Sequence, residues 1–279
     1  MSLMIRIHKN LSTKFLNLVN NSKIAKPETT ASNLKYSSLF SQKSCQLCDE
    51  KTLDKPFFCN DCYWDLPRNE TRCGICCLAL TMAHSEAAEP SLICGECLTL
   101  PPSFTMTLCP FSYEFPVKQV IKRIKYSKQR YWVNALCWAL SQEYLLALKN
   151  HAITKPDLLI PIPIHKSKRK ERGYNQAELI AKTLSKSTNI AISKNTLLKI
   201  KSTDTQARLS KQERMKNLRD SFGISKKASK QGTLAGKHIA LIDDVMTTKV
   251  TCELAGKLLL EHGAKRVDVW CLARTPKIR

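Results

Sequence analysis

Eight cysteines arranged as four C-x-x-C pairs constrain the first part of this chain more than any other feature. The pairs are Cys45/Cys48, Cys59/Cys62, Cys73/Cys76 and Cys94/Cys97. Two thiolates three residues apart can bind one tetrahedral metal ion, and two such pairs complete a four-cysteine zinc site. Because this segment has little apolar core of its own, we predict two structural zinc ions within residues 45–100. Neighbouring pairs are expected to share an ion, as in zinc ribbons, rather than to cross.

A metal explains these cysteines better than disulfide bonds do, because no secretory signal region precedes them. Cys77 and His84 are alternative ligands, although we expect both to be bystanders. A site with four cysteine ligands leaves no position for a substrate, so the zinc is expected to be structural. The same observations predict a cytoplasmic protein.

The charge of the chain is large and unevenly distributed. The 279 residues carry a formal net charge of +22. Residues 45–97 hold four basic and nine acidic side chains, whereas residues 151–279 hold 27 basic and 11 acidic ones. This balance favours a polyanionic partner for the C-terminal half: nucleic acid, a phosphorylated substrate or an anionic membrane surface. No run of 18 apolar residues indicates a transmembrane helix.

Three segments follow from this distribution. Residues 1–44 are basic and polar, and they predict an N-terminal amphipathic helix or a disordered basic tail, although they superficially resemble a transit peptide. Residues 45–100 form the zinc module, and residues 101–279 form a larger domain.

Apolar strands alternate with helices in the larger domain. The pattern predicts strands over 157–165, 196–200, 221–224, 237–245 and 266–273, with helices over 174–187, capped by Asn175, and over 251–263, ending at Gly263. Such alternation is typical of an α/β fold, a mostly parallel sheet flanked by helices on both faces.

An amphipathic helix that begins near Val117 precedes this pattern. Its basic residues are Lys118, Lys122, Arg123 and Lys125. Such a helix is usually only a solvated surface element. Because Tyr126, Tyr131 and Trp132 follow, it is also a candidate track for single-stranded nucleic acid, with aromatic rings that stack on bases.

The stretch IALIDDVMTTKVT, residues 239–251, joins a buried strand to a helix through two aspartates and a hydroxyl-rich loop. Ligands of open α/β sheets bind beyond the carboxyl ends of the strands, and helix N-termini bind phosphate. Two adjacent carboxylates need partners in a dry site, and ribose hydroxyls or Mg²⁺ would supply them. A surface turn with capping side chains is the simpler alternative.

This stretch resembles the signature of type I phosphoribosyltransferases, which bind 5-phosphoribosyl 1-pyrophosphate. The segments LIPIPIHKSKRKERGYNQAELIA and STDTQARLSKQERMKNLRDSF, with the four C-x-x-C pairs, narrow the resemblance to the ComF/GntX family, which is associated with natural DNA transformation. The resemblance covers residues 45–275. It implies a type I phosphoribosyltransferase-like sheet preceded by zinc ribbons.

The resemblance also implies roles for individual residues. Asp243 and Asp244 would contact the ribose diol, with Mg²⁺ bound alongside the ligand. The 5-phosphate loop would comprise Thr247, Thr248, Lys249, Val250 and Thr251. A loop with Lys168, Arg169 and Arg172 would face the pyrophosphate. Arg208, Arg214 and Arg219 would lie on a mobile flap over the reacting centre.

Lys249 departs from the family pattern, which has glycine at this position. A side chain at positive φ costs about 1–2 kcal/mol. Either the loop keeps helix-like angles and Lys249 adds charge to the phosphate, or the site is impaired and the fold remains without turnover. The sequence leaves both outcomes open.

Two functions fit these features. The first is a competence factor that binds single-stranded DNA and a phosphoribosyl pyrophosphate ligand, and that cooperates with a DNA-uptake helicase and recombination proteins. The second is an active phosphoribosyltransferase, a pentosyltransferase that transfers ribose 5-phosphate to a nitrogen acceptor. We favour the first, because a net charge of +16 over residues 151–279 exceeds what a small metabolite requires.

Overall fold

The computed structural model describes residues 44–52, 57–80, 92–126, 129–200 and 221–277. The chain divides into two compact units, Met1–Asp65 and Leu66–Arg279. Across the described parts of both, the helices are too short or too polar to span a lipid bilayer.

The smaller unit contains one short described helix, α1 (Asn60–Trp64). Cys59 is its N-cap, and the Cys59 sulfur accepts a hydrogen bond from the Cys62 N–H. Phe57, Phe58 and Tyr63 are buried in this unit. Among the described residues of this unit, three aromatic side chains form a small core, which a bound metal ion would stabilise further.

The larger unit alternates strands and helices along most of its length. Its described helices are α2 (Gly95–Thr99), α3 (Val117–Tyr126), α4 (Tyr131–Lys149), α5 (Lys166–Arg172), α6 (Gln176–Thr188), α7 (Lys226–Lys230) and α8 (Val250–Glu261). Its described strands are β1 (Thr107–Leu108), β2 (Phe111–Ser112), β3 (Leu158–Pro161), β4 (Ala191–Ile192), β5 (Leu197–Lys199), β6 (Phe222–Ile224), β7 (His238–Met246) and β8 (Arg266–Arg274).

The main sheet is parallel and has the order β1-β8-β7-β3-β4, with β2 also paired to β8. The long central pair, β7 and β8, aligns Asp243 with Cys271. Strands β5 and β6 pair with each other, antiparallel, as a separate ribbon. The predicted α/β class with a mostly parallel sheet is therefore confirmed.

Both faces of the sheet are covered, because the residues of β7 alternate between two buried layers. Ile239 and Leu241 belong to the apolar core formed with Cys252, Ala255 and Leu259 of α8. Helices α4 and α6 contact each other and the other side of the sheet, where the rings of Tyr144 and Trp270 lie 4.7 Å apart. The period of two along a strand places Asp243 on the α8 face and Asp244 on the opposite face.

The capping signals that the sequence predicted are present on α6. Asn175 is its N-cap, and the Asn175 Oδ1 accepts a hydrogen bond from the Ala177 N–H at 3.1 Å. The Asn175 amide also donates to the Ile162 carbonyl at 2.9 Å, which joins the start of α6 to the end of β3.

The segment after β3, expected to be a loop, is the short helix α5. His165 caps its start, with the imidazole accepting from the Ser167 N–H, and Gly173 ends it in the left-handed conformation at φ 77°. Lysine, arginine and glutamate, which fill this segment, are good helix formers, so the local sequence prefers a helix to a loop.

Candidate functional site

The two aspartates lie at the carboxyl end of the central strand β7. Asp243 is half-buried, and the Asp244 side chain is 11% exposed. The Asp244 N–H donates to the Asp243 carboxylate at 2.8 Å, and the Val245 N–H donates to the Asp244 carboxylate at 2.8 Å. The two carboxylates project to opposite faces of the sheet at the end of this strand.

A half-buried lysine neutralises one member of the acid pair. The Lys125 ammonium of α3 lies 2.8 Å from the Asp244 carboxylate. Burial lowers the pKa of Lys125, but Asp244, with smaller contributions from Asp243 and Tyr113, raises that pKa overall. The sequence pattern counts Lys125 among the basic residues of a solvated helix, and this is wrong for Lys125, because its side chain turns inward to the acid.

The other member of the pair binds a proton unusually well. Burial, and then the neighbouring Asp244 carboxylate, raise the pKa of Asp243 to about 7. One acid is therefore paired with an ammonium and the other is partly protonated near neutral pH. Together they present both hydrogen-bond acceptors and a donor at the end of the strand.

The loop between β7 and α8 carries the predicted phosphate-binding residues. Thr247, Thr248 and Val250 are exposed, and Thr251 is half-buried. Lys249 is the N-cap of α8 with φ −71° and ψ −15°, so the left-handed penalty does not arise. Helix α8 begins at this loop and has 12 residues, long enough for its N-terminus to favour an anion.

The side chain of Lys249 is directed to the segment that contains α2. Its ammonium donates to the Cys97 sulfur at 3.4 Å and lies 3.3 Å from a carboxylate oxygen of Glu96. The sequence left the role of Lys249 open, and the structure supplies this contact, which no local pattern indicated.

A buried arginine donates hydrogen bonds to main-chain carbonyls at the start of the same loop. Arg274, at the end of β8, is 5% exposed. Its guanidinium donates to the carbonyls of Met246 at 2.8 Å, Thr247 at 2.7 Å and Cys76 at 3.1 Å. Its position at the carboxyl end of a strand was the only sequence signal that could have identified it.

The residues predicted to face a pyrophosphate lie on α5, which follows β3, the neighbour of β7. Arg169 is exposed and makes a two-point ion pair with Glu178 of α6, at 2.8 and 3.2 Å. Lys168 and Arg172 are half-buried, and the Arg172 guanidinium lies 5.3 Å from the centre of the Tyr126 ring. The predicted flap residues Arg208, Arg214 and Arg219 lie outside the described residues, as does His84.

The aromatic residues near α3 divide into two groups. Tyr126 and Tyr131 are 63% and 51% exposed. Trp132 is 4% exposed, so the prediction that it stacks on bases is wrong: its indole is part of the core. Lys118, Lys122 and Arg123 are exposed on α3, the helix that ends at Tyr126.

The first cysteine group lies in the smaller unit and contains Cys45, Cys48, Cys59 and Cys62. The sulfur atoms of the group lie within 4.8 Å of one another, and those of Cys48 and Cys59 are 3.7 Å apart. Four thiolates at 2.3 Å from a tetrahedral zinc ion would be about 3.8 Å apart. The group therefore fits zinc, and neighbouring pairs share the site as predicted.

The second group lies in the larger unit and contains Cys73, Cys76, Cys94 and Cys97. The Cys76 and Cys94 sulfurs are 3.7 Å apart, and the Cys94 N–H donates to the Cys73 sulfur at 3.3 Å. All four side chains are buried in the core that also contains α8. This group fits zinc by the same geometry, and Cys77, whose sulfur donates to the Thr107 carbonyl, belongs to neither group.

These features define the class of the protein. It is an α/β protein with a parallel sheet, an acid pair at the carboxyl edge of that sheet and two four-cysteine groups that fit metal ions. No family model matches the chain.

Comparison with characterised proteins identifies the family. The chain is 31% identical to the DNA utilization protein YhgH of Salmonella typhimurium over 210 residues, which cover 73% of this chain and 90% of that protein. It is 33% identical to competence protein F of Haemophilus influenzae over 182 residues, covering 65% and 78%. The chain belongs to the ComF/YhgH family of competence and DNA-utilization proteins.

Two solved structures overlap parts of the chain. A purine phosphoribosyltransferase from Pyrococcus horikoshii Ot3 is 18% identical, with 53% of this chain and 78% of that chain covered and a TM-score of 0.31. A hypothetical protein from Neisseria gonorrhoeae with bound ppGpp is 20% identical, with 56% and 74% covered and a TM-score of 0.31. The strand order itself defines the fold class of this chain.

Proposed function

We propose that this DNA-utilization protein binds 5-phosphoribosyl 1-pyrophosphate with Mg²⁺ at the carboxyl edge of its sheet, and single-stranded DNA on a basic surface of the same unit. The observation that carries the first part is the acid pair at the end of β7, directly before the loop that enters α8. A ribose diol and a phosphate group need these two elements side by side.

In this proposal the acid pair binds the sugar. Asp244, held by Lys125, accepts hydrogen bonds from the diol, and Asp243 both accepts and donates because its pKa is about 7. The N–H groups and hydroxyls of the loop Thr247–Thr251 bind the 5-phosphate. Mg²⁺ bound with the pyrophosphate supplies positive charge beside the acids.

The pyrophosphate is assigned to α5, because β3 and β7 are parallel neighbours whose carboxyl ends lie at one edge. Arg172 and Lys168 are the proposed contacts. Arg169 joins them when it releases Glu178, since an exposed ion pair is worth about 1 kcal/mol or less.

Isothermal titration calorimetry with 5-phosphoribosyl 1-pyrophosphate and Mg²⁺ tests this site. The double variant Asp243→Asn/Asp244→Asn is expected to lose at least about tenfold in affinity, because each charged hydrogen bond contributes roughly 1.5–3 kcal/mol. Zinc content is expected to stay unchanged. Unchanged affinity in the double variant would place the ligand elsewhere.

The DNA surface is assigned to the exposed side of α3 with Tyr126 and Tyr131. Basic side chains that neutralise phosphates beside exposed aromatic rings are the two elements of a single-strand binding track. The Arg172 guanidinium over the Tyr126 ring holds one such platform in place. We further propose that the DNA-uptake helicase and recombination proteins are partners in this process.

Salt dependence of single-strand binding tests this surface. The log–log slope is about −0.7 for each phosphate neutralised. Lys122→Gln/Arg123→Gln is expected to reduce the slope by about 1.4 units and to weaken binding of a fluorescent oligonucleotide. Lys226→Gln/Lys227→Gln, the same loss of charge on α7, serves as the control. Equal effects of the two variants would contradict a track on α3.

A further inference from the structure

The second cysteine group and the loop after β7 are joined by two basic side chains that reach both. Arg274 contacts a main-chain carbonyl of the group, the last carbonyl of β7 and the first carbonyl of the loop. Lys249 belongs to the loop and contacts a sulfur of the group. Neither residue is one of the four cysteines, and neither belongs to the acid pair.

Arg274 fixes the orientation of two peptide groups. The guanidinium is buried and donates to the carbonyls of Met246 and Thr247 at 2.8 and 2.7 Å. Moving it would therefore break buried hydrogen bonds. In a trans peptide the N–H points opposite to the carbonyl. The N–H groups of Thr247 and Thr248 therefore point away from Arg274. The same guanidinium binds the Cys76 carbonyl at 3.1 Å, so its position depends on the turn that presents Cys76.

Lys249 makes the second connection. Its ammonium lies 3.4 Å from the Cys97 sulfur and 3.3 Å from Glu96, while its backbone is the N-cap of α8. A zinc ion with four thiolates carries two net negative charges, and an N–H donor to one sulfur stabilises that charge. Metal binding at the group thus strengthens the contact that holds the first turn of α8.

A third contact joins the segment that follows the second cysteine group to α8. The Ser103 N–H donates to the Glu253 carboxylate at 2.7 Å, and the Ser103 hydroxyl donates to the Glu253 carbonyl at 3.0 Å. Ser103 follows the cysteine group in sequence, and Glu253 lies in the first turn of α8. The loop is therefore bounded on both sides by contacts to the segment that surrounds the metal site.

We infer that Lys249 and Arg274 are positioning residues through which the metal state of the second cysteine group controls the conformation of the loop Thr247–Lys249. With metal bound, the loop N–H groups are held in the orientation that Arg274 sets. Without it, the turns that present Cys76 and Cys97 lose their constraint, and the loop loses both anchors. The consequence for phosphate affinity rests on the proposed function, whereas the link between metal and loop does not.

The first test measures metal affinity. Lys249→Met keeps the aliphatic side chain and removes the ammonium, and it is expected to weaken zinc binding at the second group by about 10–100-fold. Competition with a chromophoric chelator in the full chain measures the zinc affinity. Every protein carries Cys48→Ser, so that the measurement reports the second group alone. Lys257→Met, an exposed lysine on α8, is the matched control. Equal zinc affinity in the two variants would overturn the role of Lys249.

The second test measures the loop itself. Hydrogen exchange of the peptide that covers 245–253 is expected to become roughly tenfold faster or more in Cys97→Ser, and to stay unchanged in Cys48→Ser. If Cys97→Ser does not fold, Lys249→Met takes its place, with an expected increase of the same sign. Unchanged exchange of this peptide in a folded variant without metal at the second group would overturn the inference.

Ligand binding distinguishes failure of the proposed phosphate site from failure of the link between metal and loop. If the unmodified chain does not bind 5-phosphoribosyl 1-pyrophosphate, the proposed function fails, while the exchange result still decides the link between metal and loop. If the chain binds the ligand and Lys249→Met binds it equally well despite faster exchange, the function stands and control of the phosphate site by the metal is refuted.

Discussion

The two four-cysteine groups have the same ligands and the same sulfur spacing, but their surroundings differ. In the first group Cys48 is exposed and Cys45 is the one buried cysteine, and the described residues of its unit, 44–52 and 57–65, include few other buried side chains. The second group is buried throughout, in the main core of the parallel-sheet unit. One motif therefore serves two purposes. Among the described residues of the smaller unit the first group supplements a small aromatic core, whereas the second group extends the main core of the larger unit and reaches the candidate site.

The largest effect that distinguishes the groups is expected from loss of a single ligand. Cys97→Ser is expected to lower the free energy of unfolding of the larger unit by about 4 kcal/mol or more, because it removes a metal and leaves a polar gap in the core. Cys48→Ser is expected to abolish one zinc and the order of the smaller unit, and to leave the main transition in place. Scanning calorimetry with zinc analysis measures both.

Equal shifts of the main transition in these two variants would show that the two groups contribute equally to the stability of the larger unit. A second-group variant with full zinc content and an unchanged transition would also contradict it.

A smaller effect is expected at the acid pair. Asp243 has a pKa of about 7 in the folded protein, against an ordinary value of 3.8. The folded state keeps a proton that the unfolded chain releases, so the wild type loses stability as the pH rises from about 4 to 7. Asp243→Asn is expected to remove this loss and to raise the free energy of unfolding by about 1–3 kcal/mol at pH 8, with no gain at pH 4.

The free energy of unfolding of the larger unit, measured with denaturant at several pH values, checks this expectation. Parallel pH profiles for the two proteins would show that Asp243 is ionised normally in the folded state. Zinc affinity of the first group serves as the control, and it is expected to be the same in both proteins.

The smallest effect concerns the contact between α8 and the segment that follows the second group. A Cβ atom on Gly256 would lie 2.9 Å from the Ser103 hydroxyl. Gly256→Ala is expected to change stability by less than about 1 kcal/mol, because the gain in helix propensity is offset by displacement of that hydroxyl. In a Ser103→Ala background the same change is expected to stabilise by about 1 kcal/mol. Equal effects in both backgrounds would show that the two segments are not in contact.

Much of the fold could be predicted because its signals are local. The apolar run before Asp243, the cap at Asn175 and the spacing of the cysteine pairs each act within a few residues, and all three have the predicted positions. The helix after His165 was missed although its signals were also local: a capping histidine, a run of helix formers and Gly173.

What the sequence could not supply are the partners across the fold. Helical periodicity places Lys125 with the solvated residues of α3, yet its long side chain reaches Asp244. Arg274 and Lys249 each contact the second cysteine group across more than 100 residues of sequence. Strands β5 and β6 follow the alternating pattern, but their pairing with each other depends on tertiary context. Such choices are fixed by packing rather than by periodicity.

The acid pair and the loop after it are proposed to bind a sugar phosphate. A crystal structure of the full chain with 5-phosphoribosyl 1-pyrophosphate and Mg²⁺ tests it most directly. We expect the ribose hydroxyls within about 2.5–3.0 Å of the Asp243 and Asp244 carboxylates, and the 5-phosphate on the N–H groups of the loop Thr247–Thr251. A ligand bound away from both aspartates, or a phosphate that makes no contact with this loop, would contradict the claim.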